Sequence, residues 1–533
     1  MIIYIKELLT NKKLIVVFLV ALVIRVWGLN YGFPHILNVD EPSFVRSVTG
    51  LRFSLNPNRF DWPNGLFYLH FVFYTLFYYF RVLVQFVGLK NTLQNVLPLL
   101  WQDPIVFYFI SRLINAFLGA LTVFPLYYSS KKLLKNSTLA LFSAITLAFI
   151  PYHVYDSHLA LLDTALAFWC SVSLYFIFSL IKTPSYKNFA LSGLFLGIAF
   201  GTKYNAIFYW IIVVIAYYYS VLNFKYFLKL SNILGALKKF ILSIFFFIFG
   251  FVLTNPYVLF NFKLFWSNKY GRGFLFQFEN VGSNNLTELP SEFIKLFYTQ
   301  TLNDLGLGIY FVFIIGVLLY CFFCYRNKIT NLTLLLPLSL LVYMVTKQRN
   351  PSHYFVFLYP LISIFFVYFI YKTVNFLNTF KKINIKSKYL FYILFALLIS
   401  FSVKDSIYTS FVFSNKDTRV LAFNYLKNNL SKQDLVYYYG NDLDLISFVD
   451  INEKKIRRID VSNVDESKLP FYLLIGEYGL NYSDVMEGKR DTSKLKGNES
   501  KFLKNSDLLF YTVPVNQKGP SIYLFKINEI NKN

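Results

Sequence analysis

Asp40 and Glu41 stand side by side in Asn38-Val39-Asp40-Glu41-Pro42, shortly after the first long apolar run of the chain. Two adjacent carboxylates beside a membrane are costly unless they are solvated or used. A carboxylate there can take a proton from an attacking hydroxyl or ligate a divalent cation; a solvated acidic loop would account for the pair as well. A second acidic stretch, residues 151–164, carries His153, Asp156, His158 and Asp163. Asp163 sits where the next apolar run begins, a position at which aspartate caps a helix by accepting a backbone N–H bond. Capping and chemistry are compatible there. The spacing of His153 and His158 is poor for one helix face, which disfavours a metal site. Lys203 follows Gly201-Thr202, and Arg349, His353 and Tyr354 lie in one short loop. A cation at the end of an apolar segment either snorkels to water or meets an anion. Together Lys203, Arg349 and His353 could hold a phosphate.

The elements that must position these groups follow from composition. The chain has 533 residues, 56% of them apolar and 21% aromatic, with only 15% charged and a net charge of +24. A soluble domain carries about 25% charged residues, and so much apolar surface cannot be hidden in one water-soluble core. An integral membrane protein remains. The basic excess falls in short clusters between apolar runs, without a continuous stripe, so it signals topology and not nucleic-acid binding. Cys170, Cys321 and Cys324 all lie in apolar runs and form neither a disulfide framework nor a zinc pattern.

A bilayer core of about 30 Å takes about 20 apolar residues per helix. Eleven spans are expected, near 14–29, 105–129, 137–152, 164–181, 189–202, 206–222, 240–256, 305–324, 329–346, 354–371 and 388–404. The first contains Arg25 and lacks a small-residue cleavage site, so it reads as a membrane helix and not a signal peptide. With the N-terminus cytoplasmic, alternate loops collect Lys131, Lys132 and Lys135, then Lys182 and Lys187, Lys225, Lys229, Lys238 and Lys239, Arg326 and Lys328, and Lys381, Lys382, Lys386 and Lys388. Glu7 is the exception among their nearly acid-free sequences. The opposite loops hold Asp40, Glu41, Asp61, Asp103, Asp156, Asp163, Glu279, Glu288 and Glu292. Residues 66–89 are apolar enough to cross, but a crossing there would invert this separation, so they are expected as an interfacial or re-entrant helix.

Beyond Lys404 charges of both signs become frequent. Residues 416–430 show helical spacing, and Leu435–Tyr439, Phe471–Gly476 and Ile522–Ile527 have strand length. The expectation is a membrane domain over 1–404, with residues 29–104 as its first outer loop, and a small extracytoplasmic α/β domain over 405–533. The loop 257–304 has a length common in lids and binding loops.

In their order and spacing these residues resemble the GT-C glycosyltransferases, within them the protein O-mannosyltransferases and the lipid A aminoarabinose transferase. The resemblance covers roughly residues 14–404. It rests on Asp40-Glu41, Trp62-Pro63-Asn64-Gly65-Leu66-Phe67-Tyr68, Ser111-Arg112 with Gly119 and Tyr127, Ser157 to Asp163, Gly197 with Gly201-Thr202-Lys203, and Arg349 with Tyr354 and Pro360. The family often has two prolines where this chain has Pro63-Asn64. A tryptophan-rich oligosaccharyltransferase signature is not visible.

The resemblance implies a GT-C membrane fold with juxtamembrane helices and a polyprenyl- or dolichyl-phosphate sugar as donor. It implies a single inverting displacement on the extracytoplasmic face of the plasma membrane. The acceptor would be a protein, a lipid or a glycan. Asp40 is then the expected general base, Glu41 its helper, and Asp163 a second positioning carboxylate. Lys203, Arg349 and His353 become the donor-phosphate ligands, with Arg112, Asp156, His158 and Tyr354 as further site candidates. A divalent cation at the acidic pair stays open. Two other classes compete: a transporter or flippase of lipid-linked glycans, which would show mid-membrane ionisable residues and inverted repeats, and a non-catalytic scaffold.

Overall fold

Asn136, Ser185 and Asn327 each begin a helix with a side-chain oxygen that accepts backbone N–H bonds from the first turn. Such caps satisfy donors that would otherwise be orphaned where a chain enters a membrane. The computed structural model describes residues 11–221, 230–267, 271–279, 282–324, 326–379, 386–431, 434–439, 456–458, 469–476 and 506–528. Of the residues used for topology, Lys6, Glu7, Lys225, Lys229, Lys381 and Lys382 lie outside them.

Every one of the eleven expected segments contains helix, from Lys12–Val26 to Ser387–Ser414. Seven described helices are long and apolar enough to cross a membrane, or up to eight if a bent pair counts as one span. Gly65–Phe86 is among the seven, although the charge pattern assigns it to the interface. The bent pair is Ser137–Ala148 with Pro151–Ser157, at 59°. Its break follows from Pro151, which lacks an N–H to continue the ladder and pushes Ile150 to extended backbone, φ −75° and ψ 118°. The expected span 137–152 is therefore broken near its end. Tyr359–Thr379 is apolar around most of its circumference and lies largely inside the main hydrophobic cluster, as expected for a helix surrounded by others.

Contacts divide the chain into two units, Met1–Val26 with Phe44–Ser410 and Trp27–Ser43 with Phe411–Asn533. The charge pattern of the sequence places a boundary at 404; the helix Ser387–Ser414 runs on past it.

In the larger unit, glycine decides one helix–helix distance. A Cβ on Gly193 would sit 2.0 Å from the Ser243 carbonyl oxygen, and one on Gly197 2.1 Å from that of Phe247. From the other side, a Cβ on Gly250 would meet the Leu194 carbonyl oxygen at 2.4 Å. Tyr186–Phe200 and Leu230–Thr254 thus touch backbone to backbone, the small-residue packing of membrane helices.

Arg25 ties the first helix to the bent pair. It is fully buried, and its guanidinium donates to the carbonyls of Ala21 (3.0 Å) and Ala148 (3.2 Å), to Ser157 Oγ (3.2 Å) and to His153 Nδ1 (2.8 Å). Ala148 is the last residue before the break, so the arginine satisfies a carbonyl that the bend orphans. His153 thus partners the buried guanidinium, in keeping with the spacing argument against a metal site there.

Among the described residues, the smaller unit contains the helix Thr418–Asn429, capped by Asp417, and a mixed five-stranded sheet. Its strands are β1 (Val436–Tyr439), β2 (Ile456–Arg458), β3 (Phe471–Ile475), β4 (Ser506–Thr512) and β5 (Ile522–Ile527), ordered β2-β1-β3-β5-β4. β1 is parallel to β2 and β3; β5 is antiparallel to β3 and β4. Ala422, Leu426 and Leu430 pack on Val436, Leu474, Ile522 and Leu524. Asp417 also takes the Arg419 guanidinium at 2.7 and 2.8 Å and the Tyr31 hydroxyl, which fastens the Trp27–Ser43 segment to this helix. The expected small α/β domain is present, and β2 and β4 add to the three strands that the sequence predicts.

Candidate active site

The loop that leads into Asp163 has few backbone bonds of its own. Asn115, fully buried, supplies them: its Nδ2 donates to the carbonyls of Leu159 and Leu161, both at 2.7 Å. Thr164 donates its hydroxyl to Asp156 Oδ2 at 2.7 Å, so the residue after Asp163 fixes the other acid of the stretch. The second oxygen of Asp156 is buried and makes no hydrogen bond to the protein. We expect Asn115→Leu to strand the buried Leu161 carbonyl at about 1–3 kcal/mol, while the Leu159 carbonyl keeps only the N–H of Leu161 at 3.0 Å. The thermal unfolding midpoint of the purified protein should fall clearly; an unchanged midpoint would remove this role.

Lys203 stands on a second scaffold. The turn Gly201-Thr202 ends the Tyr186–Phe200 helix, and Gly201 O accepts from Asn255 Nδ2 (3.2 Å) and from Gly65 N (3.0 Å). Gly65 is required here: a Cβ would lie 2.7 Å from that carbonyl. Asn64 donates its backbone N–H to Asn255 Oδ1, and its Nδ2 to the carbonyls of Arg59 (3.0 Å) and Trp62 (3.1 Å). Tyr204 donates to Phe60 O at 2.7 Å. The segment Trp62-Pro63-Asn64-Gly65 is therefore a clamp on the lysine turn, and Asn64 gives it bonds that a second proline could not.

These scaffolds bring Lys203 Nζ within 2.6 Å of Asp163 Oδ1, with the side chains 15% and 4% exposed. Asp163 is the first residue of its helix and makes no capping bond, so the expected cap is replaced by an ion pair. An acid in that first turn is also favoured by the helix dipole. The ammonium lies 5.0 Å from the centre of the Tyr354 ring, which packs edge-on against His353. His353 is within electrostatic reach of Lys203, Asp163 and Arg349, and Asp156 is within reach of Asp163 and Lys203.

Six expected residues thus converge: Asp156, Asp163, Lys203, Arg349, His353 and Tyr354. Arg112 is fully buried in the Ile105–Leu121 helix, and His158 gives its Nδ1–H to the Val154 carbonyl at 2.8 Å. Asp40 and Glu41 belong to the smaller unit. Asn38 Oδ1 accepts from their backbone N–H groups at 2.9 and 3.2 Å and leads into the helix Glu41–Gly50, with Glu41 buried and Asp40 partly exposed. Two further acids of the same loop are used locally: Asp61 pairs with Arg59, and Asp103 with Arg81 at 2.9 Å.

Among the described residues no three His, Cys, Asp or Glu side chains are grouped closely enough to hold a metal ion. Around Asp163 the donor set fits one poorly, because that carboxylate already carries an ammonium.

Sequence reasoning missed Asp304. It is 5% exposed, and burial pushes its carboxyl up to about 7, with the hydroxyls of Ser352 and Tyr359 beside it partly offsetting the rise. Tyr152 lies within electrostatic reach of Asp156, Asp304 and Asp163, which links Asp304 to the same neighbourhood. Its one available signal was an acid immediately before the apolar run at 305.

The family model for dolichyl-phosphate-mannose-protein mannosyltransferase matches residues 91–266, about a third of the chain. No curated protein matches the sequence. Among solved structures, ArnT from Cupriavidus metallidurans bound to undecaprenyl phosphate aligns over 96% of this chain and 97% of its own, at 13% identity and a TM-score of 0.50. The chain has the GT-C fold. The apo oligosaccharyltransferase of Archaeoglobus fulgidus aligns over 80% of this chain at 12% identity and a TM-score of 0.47; the GT-C chain described here spans 63% of its length. The GT-C fold and the multi-pass membrane character expected from the sequence are borne out.

Proposed function

We propose that this protein is a glycosyltransferase of the plasma membrane that moves a sugar from a polyprenyl-phosphate donor to an acceptor hydroxyl on the extracytoplasmic side. The observation that carries the reading is the buried Asp163–Lys203 pair, ringed by Arg349, His353 and Tyr354, in a GT-C fold. Such a group can recognise one phosphate. The donor phosphate competes with Asp163 for the Lys203 ammonium, and Arg349 adds charge as the phosphate leaves. Asp163, once released, is free to accept bonds from sugar or acceptor hydroxyls.

The reaction assigned is one in-line displacement. The acceptor oxygen bonds to the anomeric carbon, the bond from that carbon to the phosphate oxygen breaks, and the electron pair leaves with the polyprenyl phosphate. The acceptor proton passes to a carboxylate, and configuration inverts. The resemblance around Asn38–Pro42 assigns that proton to Asp40, with Glu41 assisting.

Two measurements test this. Mass spectrometry of lipid that co-purifies with the full chain should find a polyprenyl phosphate or its sugar conjugate, and the chain should consume such a conjugate when an acceptor is present. Neither lipid nor consumption with any polyprenyl-phosphate sugar would end the reading. Asp40→Asn is expected to abolish turnover while the protein still inserts and folds; a variant with wild-type turnover would remove the base assignment.

A further inference from the structure

Between the segments 295–304 and 350–352 of the larger unit lies a hollow of about 420 Å³, within the range of small-molecule sites. Its wall carries Lys295, Gln300, Asn303, Asn350 and Ser352, and its floor is the buried carboxylate of Asp304. Side-chain amides and hydroxyls that both donate and accept suit a ligand bearing many hydroxyl groups. The lining is prearranged. Gln300 Nε2 donates to Asn350 O at 3.1 Å, and Asn350 Nδ2 donates to Glu292 Oε2 at 3.1 Å. Lys295 is held by Glu292 at 3.1 Å, so its charge is already balanced and the hollow is not an anion trap. Beneath it, a cleft of about 20 Å³ shares Gln300 and Asp304 but is otherwise walled mainly by apolar groups such as Leu296, Phe313, Phe355 and Leu358. A cleft of that size holds about one water, which sets Asp304 as the end of the polar space.

We propose that this hollow is a carbohydrate subsite, with Asp304 the carboxylate that bonds hydroxyls of a sugar unit and the amides of Gln300, Asn303 and Asn350 its walls. The assignment deepens the glycosyltransferase reading and rests on it. Ser352 lines the hollow immediately before His353, and Asp304 shares the surroundings of Tyr152 with Asp163, so a sugar held here neighbours the groups assigned to the donor phosphate.

The test uses the full chain in detergent with free mannose, glucose, galactose and N-acetylglucosamine as probes, read by saturation-transfer NMR titration. At least one should bind. At a pH well above 7, where the Asp304 carboxyl is ionised, Asp304→Asn keeps the shape but loses the charge and should weaken binding about tenfold, the weight of one charge-assisted hydrogen bond. Asn303→Phe, at an exposed wall position, should fill the hollow and abolish binding with an unchanged unfolding midpoint. No binding by any probe, or binding that survives both substitutions, overturns the proposal. So does displacement of the sugar only by peptide, which would make the hollow a polypeptide site. Donor consumption is measured in parallel. Consumption without sugar binding sinks the subsite and leaves the glycosyltransferase reading standing, whereas binding without any consumption keeps the subsite and sinks that reading.

Discussion

Asp163→Asn is expected to abolish donor turnover and to lower stability together, because the same side chain holds a buried ammonium and belongs to the site. Breaking a buried pair from one side costs roughly 3–5 kcal/mol, since it leaves a charge without its counterpart. Lys203 is only 15% exposed and lies 2.6 Å from its partner, so little solvent is present to take over. Lys203→Met should show the same two losses. The double variant separates structure from chemistry. Replacing both members of a buried pair by neutral groups is often neutral or stabilising, so the double variant should recover most of the unfolding midpoint and remain inactive. If it recovered turnover as well, the pair would be a strut and its place in the chemistry would be lost. If the single variants unfolded no earlier than wild type, the pair would contribute nothing to the fold.

Gly197→Val should be the most damaging substitution between helices. The new Cβ would stand 2.1 Å from the Phe247 carbonyl oxygen and 2.9 Å from its carbon. Backbone atoms cannot rotate away as a side chain can, so the helices must separate, at a cost of about 1–3 kcal/mol or more for overpacking. Gly193→Ala should act in the same direction, its Cβ 2.0 Å from Ser243 O. The contrast is Gly235→Ala on the partner helix, where nothing lies within 4 Å and the change should be neutral or stabilising. The effect should also reach the site, because the Tyr186–Phe200 helix ends at the turn that presents Lys203. Unfolding midpoints and turnover of the three variants check this; equal midpoints would show that the helices are not held by backbone contact.

The same glycines show how far sequence carries. In the sequence Gly197 and Gly201 stand out as part of a motif that precedes Lys203. The four-residue spacing of Gly193, Gly197 and Gly201 is itself a known packing signal in membrane helices, but it does not say which helix is the partner. Likewise the acids and bases at the apolar boundaries were visible one by one. That Asp61, Asp103 and Glu292 are taken by Arg59, Arg81 and Lys295, while Asp163 reaches Lys203, could not be read from their types.

Sequence alone determined the membrane class, the segments that become helices, the small α/β unit and the short list of ionisable residues. Those depend on local composition and on periods of a few residues, which each stretch of chain carries within itself. Tertiary structure alone decided the Asp163–Lys203 pair, the capture of Arg25 by the bent helix, and the burial of Asp304 beneath a polar hollow. Each joins groups far apart along the chain, and the force between them depends on a separation and a local dielectric that exist only after the helices have packed.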